Sequence, residues 1–152
     1  MKPRQSARLH TLELPLHNIL LLIPSAVVAE VINPPLLTPV PYGQPWLRGV
    51  LGWRTLAVPV VSFEMLMGVD APELGTESKI VIFYPMNGRR EWEFYGLLVA
   101  SEPRPQALDG SQPAASQAEL PNTPYIAAGI KLDDKVLAIP DLEAMKKTFY
   151  PA

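Results

Sequence analysis

The apolar positions of this chain fall in short runs separated by turn-forming residues. Residues 19–23 are continuously aliphatic, and residues 46–54 and 56–63 are rich in β-branched and aromatic side chains. Runs of this length predict strands, and an unbroken aliphatic run is typical of a strand buried on both faces. Between them, residues 33–45 contain five prolines. That spacing excludes a helix, because each proline removes a backbone donor and restricts φ.

Two further hairpins are predicted, because in each case a turn signal separates two apolar runs. They are residues 79–84 and 91–100 around Asn87-Gly88, and residues 125–132 and 136–139 around Asp133-Asp134. Asp141 can cap a closing helix that ends near Phe149. Many short strands with one convincing helix predict a mainly β protein of the small-barrel or sandwich type.

The ends and one internal stretch suggest a simple domain organisation. Residues 1–17 begin polar and basic, so we expect an N-terminal tail or loosely docked arm. Residues 18–152 are then one domain, long enough to bury a core of its own. Within it, residues 103–124 are rich in proline, alanine, serine and glutamine, which predicts a flexible loop.

Composition narrows the classes of partner. The formal net charge is −2, and charged residues make up 18% of the chain. A nucleic-acid partner is therefore not expected, because duplex binding needs a clustered basic face.

The chain has no cysteine, which excludes disulfides and thiol catalysis. The apolar run at residues 19–23 is far too short to cross a bilayer, so we expect a cytoplasmic protein without membrane insertion.

The chain offers no recognisable catalytic or metal-binding constellation. His10 and His17 lack the i, i+4 spacing of a paired metal site. Asp133 and Asp134 are too few acidic residues for a calcium loop, and no serine lies in a G-x-S-x-G elbow. We therefore expect no enzyme, metal or cofactor. Apolar strands, stiff corners and isolated charges instead favour a surface that binds other proteins.

An ordered series of motifs runs through the sequence. An aliphatic strand leads to a V-x-E-V step, a proline bend, a glycine-containing strand, an arginine turn, a P-V-V strand and a short helix ending in glycine. These fall at residues 20–23, 28–31, 38–41, 46–52, 53–55, 59–63 and 66–68, and later matches fall at 96–100, 125–129 and 139–142. In order and spacing the series resembles the CheW-like family, the coupling proteins of bacterial chemosensory arrays.

The resemblance implies two packed five-stranded SH3-like barrels with a short C-terminal helix. It also implies a non-catalytic adaptor that joins a methyl-accepting chemoreceptor to the regulatory domain of a histidine kinase. The partner contacts of the family carry over to Val28, Glu30 and Arg54. The chain departs from the family pattern at Trp53, Thr55, Ser62 and Ala100. Flagellar chemotaxis and a chemosensory system linked to a type IV pilus both stay open.

Two tryptophans can be assigned from their positions in the sequence. Trp53 is a further candidate for partner binding, because it lies beside the predicted turn and is expected to be exposed. Trp46 is expected in the core. The resemblance implies that the turn arginine is Arg54 rather than Arg48, because Arg54 lies at the family's distance after a glycine and before Pro59. The alternative function is a sensory module that binds a small ligand in the groove between two β lobes.

Overall fold

The computed structural model describes residues 8–71, 73–86 and 90–151. The strands in these residues form two five-stranded sheets, and each sheet belongs to one of two lobes. The first lobe contains β1 (Leu9–Pro15), β2 (Leu20–Pro24), β8 (Arg104–Leu108), β9 (Ile126–Leu132) and β10 (Lys135–Pro140). The second lobe contains β3 (Val28–Ile32), β4 (Leu47–Trp53), β5 (Leu56–Val61), β6 (Lys79–Phe83) and β7 (Tyr95–Val99).

The two sheets share one pairing pattern. Strand order is β8-β1-β2-β10-β9 in the first lobe and β3-β6-β7-β5-β4 in the second. Each sheet has a single parallel pairing, β2 with β10 and β5 with β7, among antiparallel ones. The predicted mainly β fold of two five-stranded lobes is therefore confirmed.

The continuous apolar runs are explained by cores on both sides of a sheet. In β6, Val81 and Phe83 face the main core, which also receives Leu21 and Ile23 from the first lobe. The alternate residues, such as Ile82, face a smaller core inside the second lobe. Each such side chain contributes about 1.5–3 kcal/mol when fully buried. Because the main core takes side chains from both sheets, it joins the lobes.

Two short helices begin at side-chain caps. Helix α1 (Phe63–Leu66) begins after Ser62, whose Oγ accepts a hydrogen bond from the Met65 amide at 3.2 Å. Helix α2 (Leu142–Phe149) begins after Asp141, whose carboxylate accepts from the Ala144 amide at 3.0 Å. The closing helix is therefore confirmed, including its cap.

Two segments that were predicted to lack regular structure contain strands. Strand β1 lies within the expected N-terminal tail and pairs with both β2 and β8, so the tail prediction is wrong for Leu9–Pro15. Strand β8 lies within the predicted flexible loop at 103–124, where Gln117–Glu119 also forms a 3-10 turn. Pro105 is compatible with β8 because this strand is at the edge of its sheet. Residues 1–7 and the Asn87-Gly88 turn lie outside the described residues.

Candidate partner-binding site

A two-residue turn at the tip of the β4–β5 hairpin presents Arg54. Trp53 pairs with Leu56 across the turn, so Arg54 and Thr55 are its central residues. Their φ angles are 46° and 65°, and positive φ at both positions is what a type I′ turn requires. The left-handed conformation costs a residue other than glycine roughly 1–2 kcal/mol. The backbone is therefore strained at the residue that carries the candidate contact.

Arg54 forms an ion pair with the other predicted charge, Glu30. Its Nη2 donates to Glu30 Oε1 at 3.3 Å. Glu30 lies on β3 and the arginine follows β4, and these are the two end strands in the hydrogen-bonded order of the second sheet. The side chains are 62% and 41% exposed, so water screens the pair and it stabilises the fold by about 1 kcal/mol or less. The pair therefore orients two charges at the surface more than it supports the fold.

Trp53 lies beneath the guanidinium and is not exposed. The Arg54 Cζ is 4.5 Å from the centroid of the Trp53 ring, within the range of a cation–π contact. The tryptophan itself is only 8% exposed and belongs to the smaller core with Leu51. The expectation of exposure is wrong, because the alternation of β4 directs Leu51 and Trp53 inward while Gly52 faces out. Trp46, expected in the core, is partly buried and packs against the main core.

Val28 lies on the same strand as Glu30 but packs elsewhere. It is partly buried against the main core and pairs with Phe83. The register shifts between Val28 and Glu30, so an extra residue, Ala29, interrupts the regular alternation of β3. The structure thus brings together Glu30, Arg54 and Trp53, and places Val28 on the inner side of the same strand.

An aromatic cluster that the sequence analysis missed supports Trp53. The Phe94 ring packs against the Trp53 ring with centroids 4.9 Å apart, and Tyr84 packs against Phe94 at 5.9 Å. Tyr150, which follows α2, donates its hydroxyl to the Phe94 carbonyl at 2.6 Å. In the sequence, the only indication of this cluster is the run of aromatic residues at 92–95 (WEFY). Sequence alone does not reveal that these residues meet a turn some 40 positions earlier.

A groove at the junction of the lobes has a volume of about 410 Å³. His17 from the β1–β2 turn and Arg48 from β4 line it together with Glu64 and the buried hydroxyl groups of Ser62 and Ser78. Burial raises the pKa of Glu64 above its ordinary value, although backbone donors and the nearby His17 charge oppose that shift. The groove is open to solvent, is lined by both polar and apolar side chains, and is separate from the Arg54 turn.

No group of three or more metal-ligating side chains occurs among residues 8–71, 73–86 and 90–151. Over the same residues, no helix has the length and apolar character needed to span a membrane.

Comparison with known proteins gives the family and the fold of the chain. The sequence model of the CheW-like domain matches residues 11–148. The chain belongs to the CheW-like domain family. The fold is similar to the crystal structure of the scaffolding protein TtCheW from Thermoanaerobacter tengcongensis, with a TM-score of 0.76 and 19% identity over 93% of this chain and 90% of that one. No curated protein sequence matches the chain significantly.

The family match bears on the general role of the chain and on its first strand. It supports, in general terms, a role as a chemotaxis coupling adaptor. The matched region starts at residue 11, inside β1, so it includes most of the strand that the sequence analysis assigned to a tail.

Proposed function

We propose that this CheW-like chain is a non-catalytic adaptor that couples a methyl-accepting chemoreceptor to the regulatory domain of a histidine kinase. The observation that carries the proposal is the presentation of Arg54. A strained turn exposes its guanidinium, an indole ring supports it from below, and Glu30 orients it from the side. Such preorganisation is expected of a contact residue, because less conformational entropy is lost on binding.

The chemistry of Arg54 suits recognition of a protein partner. A guanidinium carries five donors in a planar fork, and one of them bonds to Glu30. The remaining fork can bind a carboxylate of the partner in bidentate geometry. We propose that Glu30 and Arg54 contact the partner directly and that Trp53 holds the guanidinium in place. Val28, which lies on β3 with Glu30, contributes to the same partner contact.

The test is binding to the regulatory domain of a histidine kinase from the same genome, measured by calorimetry. We expect Arg54→Glu to weaken binding at least 30-fold, which corresponds to the roughly 2 kcal/mol of an interface hot spot. Arg48→Glu is the matched control, because it makes the same charge reversal at another exposed arginine of the same hairpin. Absence of binding by the unaltered chain would contradict the adaptor role. Equal effects of the two reversals would contradict the proposed site.

The pathway and compartment of the adaptor need separate measurements. We place it in the cytoplasm, beside the signalling ends of chemoreceptors, and cell fractionation tests that placement. A deletion strain separates the two open pathways. Loss of swimming chemotaxis would indicate the flagellar pathway, and loss of twitching motility would indicate the pathway linked to type IV pili.

The groove between the lobes supports a second candidate, a sensory module for a small ligand. Its volume of about 410 Å³ is within the range of small-molecule sites, and the hydroxyl groups of Ser62 and Ser78 lie in its wall. A thermal-shift screen of metabolites tests this role, because a ligand that binds the folded state raises its melting temperature. A hit that loses its effect in Ser78→Ala would favour the sensory module.

A further inference from the structure

Helix α2 crosses from one lobe to the other. It follows β10 of the first lobe, and its cap residue Asp141 donates its amide to the Tyr125 carbonyl at 2.8 Å. At its other end, Phe149 packs against aromatic rings of the second lobe, with centroids 5.3 Å from Trp46 and 5.0 Å from Tyr95. The helix therefore connects the two sheets beyond their shared core.

The residue after this helix is hydrogen-bonded to the framework of the candidate site. Tyr150 donates its hydroxyl to the main-chain carbonyl of Phe94 at 2.6 Å, and its ring lies edge-on to Trp92 at 5.7 Å. Burial and the negative charge of Glu93 raise the pKa of Tyr150 to about 12. The phenol therefore remains a hydrogen-bond donor at every physiological pH. Phe94 directly precedes β7, so the bond restrains the backbone where that strand begins.

From Phe94 the contacts lead without a gap to the arginine. The Phe94 and Trp53 rings pack at 4.9 Å, tilted by 53°, and the Arg54 guanidinium lies 4.5 Å above the indole. Both contacts depend on ring orientation, because aromatic pairs and cation–π contacts weaken when the rings shift or turn. A movement of Phe94 would therefore change the surface on which the guanidinium rests.

We propose that Tyr150 is a positioning residue for the partner-binding site, holding Phe94, and through it Trp53, so that Arg54 keeps its orientation. This inference rests on the proposed function for its effect on binding, although the geometric part does not. It links the C-terminal end of the chain to a turn that lies almost 100 residues earlier.

Tyr125, which directly precedes β9, provides a matched control because its hydroxyl also bonds near the end of α2. Its hydroxyl makes a hydrogen bond of 3.1 Å to Thr148 Oγ1, and it belongs to the first lobe. Tyr125→Phe and Tyr150→Phe thus each delete one phenol hydroxyl that tethers the end of α2. Only the second deletion touches the contacts that lead to Arg54. A role limited to helix stability would make the two variants equivalent.

The first measurement is independent of any partner. The Arg54 Cζ lies 4.5 Å from the centroid of the Trp53 ring, so we expect the ring current to shift the NMR frequencies of the neighbouring Hδ and Hε protons. We expect Tyr150→Phe to move these frequencies toward those of an unstructured arginine, and Tyr125→Phe to leave them unchanged. Phe94→Leu, which removes the intermediate ring, should move them further. Unchanged Arg54 frequencies in Tyr150→Phe would overturn the proposal, whatever the effect of Phe94→Leu.

The second measurement is a double-mutant cycle in binding to the kinase regulatory domain. Tyr150→Phe should weaken binding about threefold to tenfold in the unaltered chain, the range for loss of one hydrogen bond. It should have no further effect in an Arg54→Ala background, because the two changes then remove the same contact. Equal weakening in both backgrounds, or equal weakening by Tyr125→Phe, would reject positioning. If the unaltered chain does not bind the kinase, the adaptor role fails, and the NMR comparison still decides the role of Tyr150.

Discussion

Replacing Lys135 is expected to lower the free energy of unfolding strongly, because its ammonium group pairs with the buried carboxylate of Glu13. Glu13 lies on β1 with its side chain fully buried inside the first lobe. Lys135 Nζ from β10 donates to Oε1 at 3.0 Å, and Arg104 Nη1 from β8 lies 3.8 Å from Oε2. Within the described chain Oε2 has no hydrogen bond. The carboxylate therefore depends on these two cations for compensation.

Replacing Lys135 with methionine keeps the aliphatic stem and removes the charge. Loss of one partner of a buried ion pair typically costs 3–5 kcal/mol, because the other charge is left uncompensated. Here Arg104 remains, and the Lys135 side chain is 36% exposed, so water screens part of the interaction. We therefore expect the free energy of unfolding to fall by about 2–3 kcal/mol.

Urea denaturation followed by circular dichroism measures this change. Lys131→Met is the control, because Lys131 makes an ion pair of the same length, 3.0 Å, with the partly exposed Glu119 on the surface. That variant should lose much less stability, because water screens an exposed ion pair. The combination Glu13→Leu with Lys135→Met should recover most of the loss, since no buried charge remains. A cost for Lys135→Met no larger than that of Lys131→Met would show that the buried carboxylate of Glu13 does not depend on Lys135.

Two further predictions concern the turn and the groove. Thr55→Gly should raise the free energy of unfolding by about 1 kcal/mol, because glycine adopts the observed φ of 65° without strain. The relief of strain exceeds the extra conformational entropy that glycine loses on folding. A lower urea midpoint for this variant would contradict the strain at the turn. Glu64→Gln should raise the melting temperature more at pH 7 than at pH 4. The pKa of Glu64 is raised in the folded state, so its ionisation disfavours folding as pH rises above the ordinary value. A melting-temperature difference that is the same at both pH values would exclude this explanation.

Local signals in the sequence were sufficient for most strands and for the closing helix. The aliphatic runs of β2 and β6, the turn at Asp133 and the cap at Asp141 act between residues close in sequence. Periodicity, turn chemistry and capping express such short-range preferences directly. The order of the motifs then indicated the two-lobe fold and pointed to Glu30 and Arg54.

Strand β1 was missed because it contains a charged residue that is buried in the structure. An isolated glutamate such as Glu13 predicts an exposed position, but here cations from β8 and β10 allow it to be buried. Those cations lie about 90 and 120 residues away in sequence. A buried acid that is neutralised by distant side chains leaves no local pattern, so the segment resembled a polar tail.

Local patterns were therefore enough to predict most of the strands, the turns and the closing helix with its cap, and the order of the motifs indicated the family and the two charges at the candidate site. The three-dimensional packing was needed to show that these charges meet, that Trp53 supports Arg54 from the core, and that Tyr150 bonds to Phe94. The physical reason is the range of the interactions. Backbone conformation depends mainly on neighbouring residues, whereas ion pairs and ring contacts depend on how whole strands pack.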